Sequence, residues 1–108
     1  DPYDWRLGDS AVLVAAVQDD LAAGRQRADI AAAFHETVAA AAAESAAECG
    51  EPRTVVLSGG TFQNLRLLAS TRRRLEQAGF RVLSHRRVPP NDGGISYGQA
   101  AVAAARLR

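Results

Sequence analysis

The chain has 108 residues, of which 47% are hydrophobic and 23% are charged, and its formal net charge is +1. This length allows one small domain. The balanced charge argues against a dedicated nucleic-acid-binding protein, and the single cysteine, Cys49, excludes an internal disulfide framework. No apolar run of about 18 residues occurs, so we predict no transmembrane helix and no membrane partner. The chain contains no Met, and we expect residues 1–108 to be a single-domain fragment of a longer, cytoplasmic protein.

Two helices are predicted in the first half of the chain. Apolar residues recur at helical spacing after Asp9, which predicts a helix over 10–22 with Asp9 as its N-cap and Gly24 beyond its end. A second, Ala-rich helix is predicted over 29–49. Each predicted helix is followed by a glycine, the residue that most often ends a helix.

The second half of the chain predicts alternating strands and helices. Short apolar, β-branched runs predict a buried strand over 54–57 and a second strand over 80–83. Helical patterns follow each strand, over 61–77 and 95–106. The order α-α-β-α-β-α predicts an α/β fold with a small parallel sheet and a right-handed crossover. Since two parallel strands with open edges are marginal alone, we expect the missing strands to lie upstream in a longer parent chain; a fragment stable by itself would pair edges with another copy and form a homo-oligomer.

A loop with two adjacent glycines joins the first strand to the crossover helix. Gly59 and Gly60 leave backbone N–H groups uncovered, so a phosphate can approach them closely, and the start of the next helix adds its positive end. Further hydrogen-bonding groups come from Ser58, Thr61, Gln63 and Asn64. The loop is neither a Walker A motif nor a dinucleotide fingerprint. It is either a phosphate-binding loop or an ordinary tight turn in which Asn64 caps the helix.

A second loop follows the second strand. Pro89 and Pro90 stiffen it, and the Asn-Asp-Gly-Gly sequence after them is typical of a turn. Asp92 either caps the final helix or supplies a carboxylate to a metal ion. Because loops at the carboxyl ends of parallel strands gather at one edge of the sheet, we expect both loops to face one crevice.

Structural roles are expected for the remaining candidates. His35 is expected to be a packed or half-exposed helix residue rather than a ligand, and Cys49 an inert thiol at a helix end. The run Arg72–Arg74 spans too many helix faces to form one patch, so we expect it to be solvated. We expect Trp5 to anchor the N-terminus and Tyr97 to pack against the protein.

The sequence motifs of both loops resemble those of one family. The motifs are LSGGTFQN over 57–64 and VPPNDGGI over 88–95, the latter followed by Gly98-Gln99-Ala100. A further motif is IA-x-x-FH, in the predicted helix, over 30–35. They resemble the C-terminal end of the HypF family, the carbamoyltransferases of nickel–iron hydrogenase maturation, over roughly residues 5–105. The resemblance implies an ASKHA (actin-like ATPase) fold, of which this chain would be a part.

The resemblance also implies an activity and a site. Enzymes of this family make carbamoyl-adenylate from carbamoyl phosphate and ATP and pass the carbamoyl group to the C-terminal cysteine of a HypE-type partner. By position, Gly59, Gly60 and Asn64 match the nucleotide-binding loop, and Asp92 matches a carboxylate that helps to hold a divalent metal. Thr61 departs from the family pattern, in which Val is commoner.

The family's upstream histidine pair and other domains are absent from this sequence, so we expect the isolated chain to be inactive. Two alternatives stay open. One is a fragment of an O-carbamoyltransferase of the same fold, and the other is a non-catalytic interaction module.

Overall fold

The computed structural model describes residues 2–87 and 91–107, and it has the predicted α/β order. The elements are α1 (Ser10–Ala22), α2 (Arg27–Glu48), β1 (Thr54–Leu57), a 3₁₀ turn (Gly60–Gln63), α3 (Leu65–Gln77), β2 (Arg81–Ser84) and α4 (Gly93–Arg106). The predicted bounds of α1 and β1 are confirmed. The predicted starts of α2, α4 and β2 are wrong by one or two residues, because local patterns define element ends poorly.

The two strands pair in parallel around a small core. Leu57 of β1 lies opposite Ser84 of β2, and α3 forms the crossover between them. One face of this sheet packs on α3, and the cluster of buried residues there consists of Leu57, Leu75, Phe80 and Val82. This cluster lies directly beneath the residues that leave the carboxyl end of β1.

The other face of the sheet is open. Val56 is 62% exposed and its register partner Leu83 is 40% exposed, so the prediction that 54–57 is a buried strand is wrong. Burial alternates along β1 because α3 covers one face only, whereas most parallel strands are buried on both faces. A run of four apolar or β-branched residues cannot distinguish these two situations.

The N-terminal segment is tied to the helices by hydrogen bonds. The Asp9 side chain accepts from Ala11 N at 3.0 Å, which confirms it as the N-cap of α1. The Trp5 indole donates to the Asp9 carbonyl at 2.9 Å, and Tyr3 N donates to Thr37 Oγ1 at 2.7 Å. Trp5 therefore anchors the N-terminus, as predicted.

Two arginines of the run Arg72–Arg74 join α3 to α2, so the run does not form a solvated face. Arg73 and Arg74 both contact the Glu36 carboxylate of α2, at 3.1 and 2.8 Å, and Ser70 Oγ donates to it at 2.7 Å. The Ser70 hydrogen bond, followed by those from Arg74, lowers the pKa of Glu36 to about 2. The predicted role was wrong because an arginine run does not reveal which carboxylate faces it from another helix.

The final helix stands apart from this core. α4 contains no buried residue, and Tyr97 is 59% exposed, so the prediction that Tyr97 packs is wrong. Ile95 and Val102 are also exposed, at 60% and 52%. Across residues 2–87 and 91–107, no helix has both the length and the hydropathy that crossing a membrane requires.

Candidate functional site

The glycine loop between β1 and α3 has an open backbone. Gly59 has φ of +95°, a conformation that side chains disfavour, and its carbonyl accepts from Phe62 N at 3.1 Å to close the 3₁₀ turn. A Cβ built on Gly59 would meet no atom within 4 Å, and one built on Gly60 would meet only Gln63 Oε1 at 3.9 Å. The space over both glycines is therefore free for a ligand.

A cleft of about 360 Å³ adjoins this loop at the carboxyl ends of both strands. It is lined by Leu57, Phe62, Gln63, Leu65, Leu68, Ser84 and His85. Ligands of open parallel sheets bind at this edge. A crevice thus lies where the sequence predicts one, but the wall opposite the loop comes from Ser84 and His85.

One end of the loop is hydrogen-bonded to β2. Ser58 Oγ lies 2.7 Å from His85 Nε2, although the two residues are 27 positions apart. Each residue comes directly after the last residue of its strand, and those last residues are register partners. The sequence predicts that the second strand ends at 83, whereas β2 ends one residue later, at Ser84.

The other end of the loop is bonded to α2. Asn64 Oδ1 accepts from Leu67 N at 3.1 Å and caps α3, while Asn64 Nδ2 lies 2.9 Å from His35 Nε2. His35 Nδ1 lies 2.8 Å from the Ala31 carbonyl, which only accepts, so we assign the proton to Nδ1 and let Nε2 accept from Asn64. His35 is half-buried, as predicted.

The capping role for Asn64 is confirmed, but the predicted helix start at 61 is wrong. α3 begins at Leu65, and the 3₁₀ turn Gly60–Gln63, which starts at the second glycine, lies between Gly59 and that helix. The glycine N–H groups are therefore not the first turn of α3. Helical periodicity does not separate a short 3₁₀ turn from the α-helix that follows it.

A second cleft, of about 410 Å³, meets the first at His85. It is lined by Arg72, Val82, Leu83, Ser84, His85, Arg86 and Arg87. Arg72 Nη2 donates to Ser84 Oγ at 2.7 Å, which holds this guanidinium against the end of β2. Cationic side chains concentrated at one edge raise the local concentration of anions, so this edge of the sheet suits an anionic ligand.

Within the described residues, Asp92 lacks side-chain hydrogen bonds like those that hold the two ends of the glycine loop. It precedes α4 without a capping hydrogen bond from its side chain, whereas Asn91 Oδ1 accepts from Gly93 N at 2.9 Å. No hydrogen bond or ion pair within residues 2–87 and 91–107 joins Asp92 to the glycine loop. Residues 88–90 of the second loop lie outside the described residues, and the facing of the two loops stays a prediction.

Few side chains of the described residues could together ligate a metal ion. In the part of the chain that the structure describes, no group of three His, Cys, Asp or Glu side chains comes together. Cys49 is exposed at the end of α2, where its thiol contacts the Ser45 carbonyl at 3.3 Å. Asp92 therefore offers a single carboxylate, and these residues alone do not fit a complete divalent metal site.

The comparisons with known proteins define the class first. A family model described as "Carbamoyltransferase, Kae1-like Domain, second subdomain" matches residues 4–99. The chain therefore belongs to the carbamoyltransferases with a Kae1-like domain.

Individual relatives define the family within that class. The chain is 46% identical to Carbamoyltransferase HypF of Rhodobacter capsulatus, over 81% of the chain and 12% of the relative. It is 38% identical to Carbamoyltransferase HypF2 of Cupriavidus necator, over 97% of the chain and 14% of the relative. The chain belongs to the HypF family, which confirms the resemblance read from its two loops.

The fold agrees with this assignment. A crystal structure of full-length HypF in the phosphate- and nucleotide-bound form matches all of this chain, with a TM-score of 0.84 and 34% identity. The match covers 16% of that HypF chain. The present chain therefore spans about one seventh of the length of the relatives it matches.

Proposed function

We propose that this chain supplies one wall of the nucleotide site of a HypF-type carbamoyltransferase that acts in hydrogenase maturation. The observation that carries the proposal is the open Gly59–Gly60 backbone beside a cleft at the carboxyl ends of β1 and β2. Such a backbone accepts phosphate oxygens closely. The matching HypF structure is described as nucleotide-bound, which supports ATP or carbamoyl-adenylate as the ligand.

The proposed reaction transfers a carbamoyl group to sulfur. The thiolate of the C-terminal cysteine of a HypE-type partner attacks the carbonyl carbon of carbamoyl-adenylate. The S–C bond forms, the C–O bond to the adenylate phosphate breaks, and AMP leaves with the electron pair. Backbone N–H groups at Gly59 and Gly60 would hold the phosphate as its negative charge grows. Because the chain spans one seventh of its relatives, we propose that transfer requires regions beyond it.

Asn64 and Asp92 have more limited proposed roles. One N–H of the Asn64 amide is used by His35, which leaves its second N–H for the nucleotide. Asp92 would give one carboxylate oxygen to a divalent ion. The remaining ligands would come from the nucleotide or from parts of the enzyme outside this chain, since the described residues hold no complete site.

The proposed role of the loop is tested by adding a single methyl group at Gly60. A Cβ at Gly60 meets no atom closer than 3.9 Å in the free protein, so Gly60→Ala should fold normally but block the approach of a phosphate. We expect the wild-type chain to bind ATP in isothermal titration calorimetry and Gly60→Ala to weaken binding at least about tenfold.

The matched control is Gly98→Ala, which adds the same group in open space on α4. It should bind ATP like the wild type. If Gly60→Ala and Gly98→Ala bind ATP equally well, the proposed role of the glycine loop in phosphate binding is contradicted. If the wild-type chain binds no ATP at millimolar concentration, the interaction-module alternative is favoured instead. The relatives are HypF and HypF2 carbamoyltransferases, which favours a HypF-type enzyme over an O-carbamoyltransferase.

A further inference from the structure

We propose that His85 and His35 are positioning residues that hold the two ends of the Gly59–Gly60 loop in the shape that binds nucleotide. The inference rests on the proposed nucleotide site and adds two residues to it. Neither histidine belongs to the loop, and each comes from a different element: His85 follows β2 and His35 lies in α2.

The glycine pair needs such anchors because it has no side-chain packing of its own. Nothing lies within 4 Å of a Cβ at Gly59, and the nearest atom at Gly60 is the end of the Gln63 side chain. Glycine also loses more backbone freedom on ordering than any other residue. Besides the backbone hydrogen bonds of the 3₁₀ turn, the shape of this loop therefore depends on what is bonded at Ser58 and at Asn64.

The His85 contact also sets the direction of the Ser58 hydroxyl. A hydroxyl has one proton and two acceptor lone pairs. When His85 Nε2 carries a proton, it donates to Ser58 Oγ at 2.7 Å, and the Ser58 proton is free to donate to a phosphate oxygen in the cleft. The cationic edge beside His85 would favour such an anion. We infer that the nucleotide-bound chain holds this tautomer.

The His35 contact fixes the Asn64 amide plane. His35 is itself oriented by the Ala31 carbonyl, and it accepts one Asn64 N–H while Asn64 Oδ1 caps α3. With both ends of the amide used, Asn64 cannot rotate without breaking a hydrogen bond. The second end of the loop is thereby tied to two packed helices.

Two amide replacements of His85 separate positioning from general structure. The side-chain nitrogen of Gln reaches about as far as imidazole Nε2, whereas that of Asn reaches only as far as Nδ1. His85→Gln should therefore keep the Ser58 hydrogen bond, and His85→Asn should lose it. His85 is exposed, so both variants should keep the urea unfolding midpoint of the wild type.

The first measurement needs no ligand. In the ¹⁵N-labelled 108-residue chain, we expect the Gly59 and Gly60 amides to have order parameters of about 0.85, and below about 0.6 in His85→Asn. His85→Gln should restore the wild-type values. Ser58→Ala should lower the order parameters as much as His85→Asn does. The double variant Ser58→Ala with His85→Asn should lower them no further, because each change removes the same hydrogen bond. Arg81→Ala, at the opposite end of β2, is the control and should change nothing.

The second measurement is the Kd for ATP. We expect His85→Asn and His35→Leu each to weaken binding about tenfold, as loss of one hydrogen bond allows, and His85→Gln to bind within about twofold of the wild type. Unchanged loop order in both His85→Asn and His35→Leu would overturn the inference, whether or not ATP binds. If the order of the loop depends on the histidines but the wild-type chain binds no ATP, the proposed nucleotide site is overturned instead.

Discussion

The glycine loop after β1 and the Asn91–Gly94 segment, which contains the first two residues of α4, share their turn chemistry but not their surroundings. Both contain an adjacent glycine pair and polar turn residues. The first is closed by a 3₁₀ turn and bonded to His85 and His35. Among the described residues, the second has one short-range side-chain bond, from Gly93 N to Asn91 Oδ1. Turn residues allow a loop, and the packing around it decides whether its shape is fixed in advance.

The physical source of this difference is the core beneath the first loop. Leu57, at the end of β1, packs with Leu75 and Phe80 in one buried cluster, so the strand end that carries Ser58 is held in place. α4 contributes no residue to a core within the described residues. Within residues 2–87 and 91–107, the Asp92 carboxylate therefore has no capping hydrogen bond that would fix its direction.

The largest expected effect is loss of the core beneath the glycine loop. Leu75 is 1% exposed, and Leu75→Ala should lower the free energy of unfolding by about 2–5 kcal/mol, from lost burial plus a cavity. Val102→Ala on α4, where the side chain is 52% exposed, should change it by less than about 0.5 kcal/mol. Urea unfolding measures both, and similar losses would show that α4 is packed as firmly as α3.

The next effect concerns the carboxylate that joins α2 to α3. Glu36→Gln should cost about 1–2 kcal/mol at pH 7, since it weakens charge-assisted hydrogen bonds to partly exposed arginines. In the wild type, folding lowers the pKa of Glu36 from 4.5 to about 2. The unfolded chain therefore takes up the proton first, and this stabilisation is complete above pH 4.5 and is lost as the pH falls towards 2.

Urea unfolding of wild type and Glu36→Gln between pH 7 and about pH 2 checks this dependence. The difference between the two should shrink on acidification, while other carboxylates such as Asp20, whose pKa is lowered by bonds from Tyr3 and Arg25, affect both proteins alike. Glu51→Gln, an exposed change of the same chemistry, controls for the loss of one negative charge. A difference that stays constant over this range would contradict the Glu36 assignment.

The smallest effect compares the two residues before helices α3 and α4. Asn64 caps α3 through its side chain, so Asn64→Ala should cost about 1 kcal/mol. Asp92 makes no capping hydrogen bond, so Asp92→Ala should stay within about 0.5 kcal/mol. Asn64→Ser keeps a good cap but loses the contact with His35, and it should recover most of the lost stability. An equal cost for Asn64→Ala and Asp92→Ala would remove the contrast between the two loops.

Much of the local structure could be predicted from the sequence. Helical periodicity and a capping Asp9 placed α1, and β-branched residues between turn signals placed β1. These signals act over a few residues, and each has a physical cause in backbone hydrogen bonding or side-chain spacing. The glycine pair at the end of β1 was found in the same way, because glycine marks an open backbone wherever the chain places it.

The tertiary structure alone decided which distant side chains meet. Ser58 meets His85 across 27 positions and Asn64 meets His35 across 29, while Glu36 meets Arg74 across 38. Such pairs depend on strand register and on how α2 lies against α3, and a shift of one residue turns a side chain to another face. Sequence periodicity defines which face of each element is apolar, but it does not define which polar groups lie opposite one another. His85 and His35 contact the two ends of the glycine loop only because β2 and α2 pack beside it.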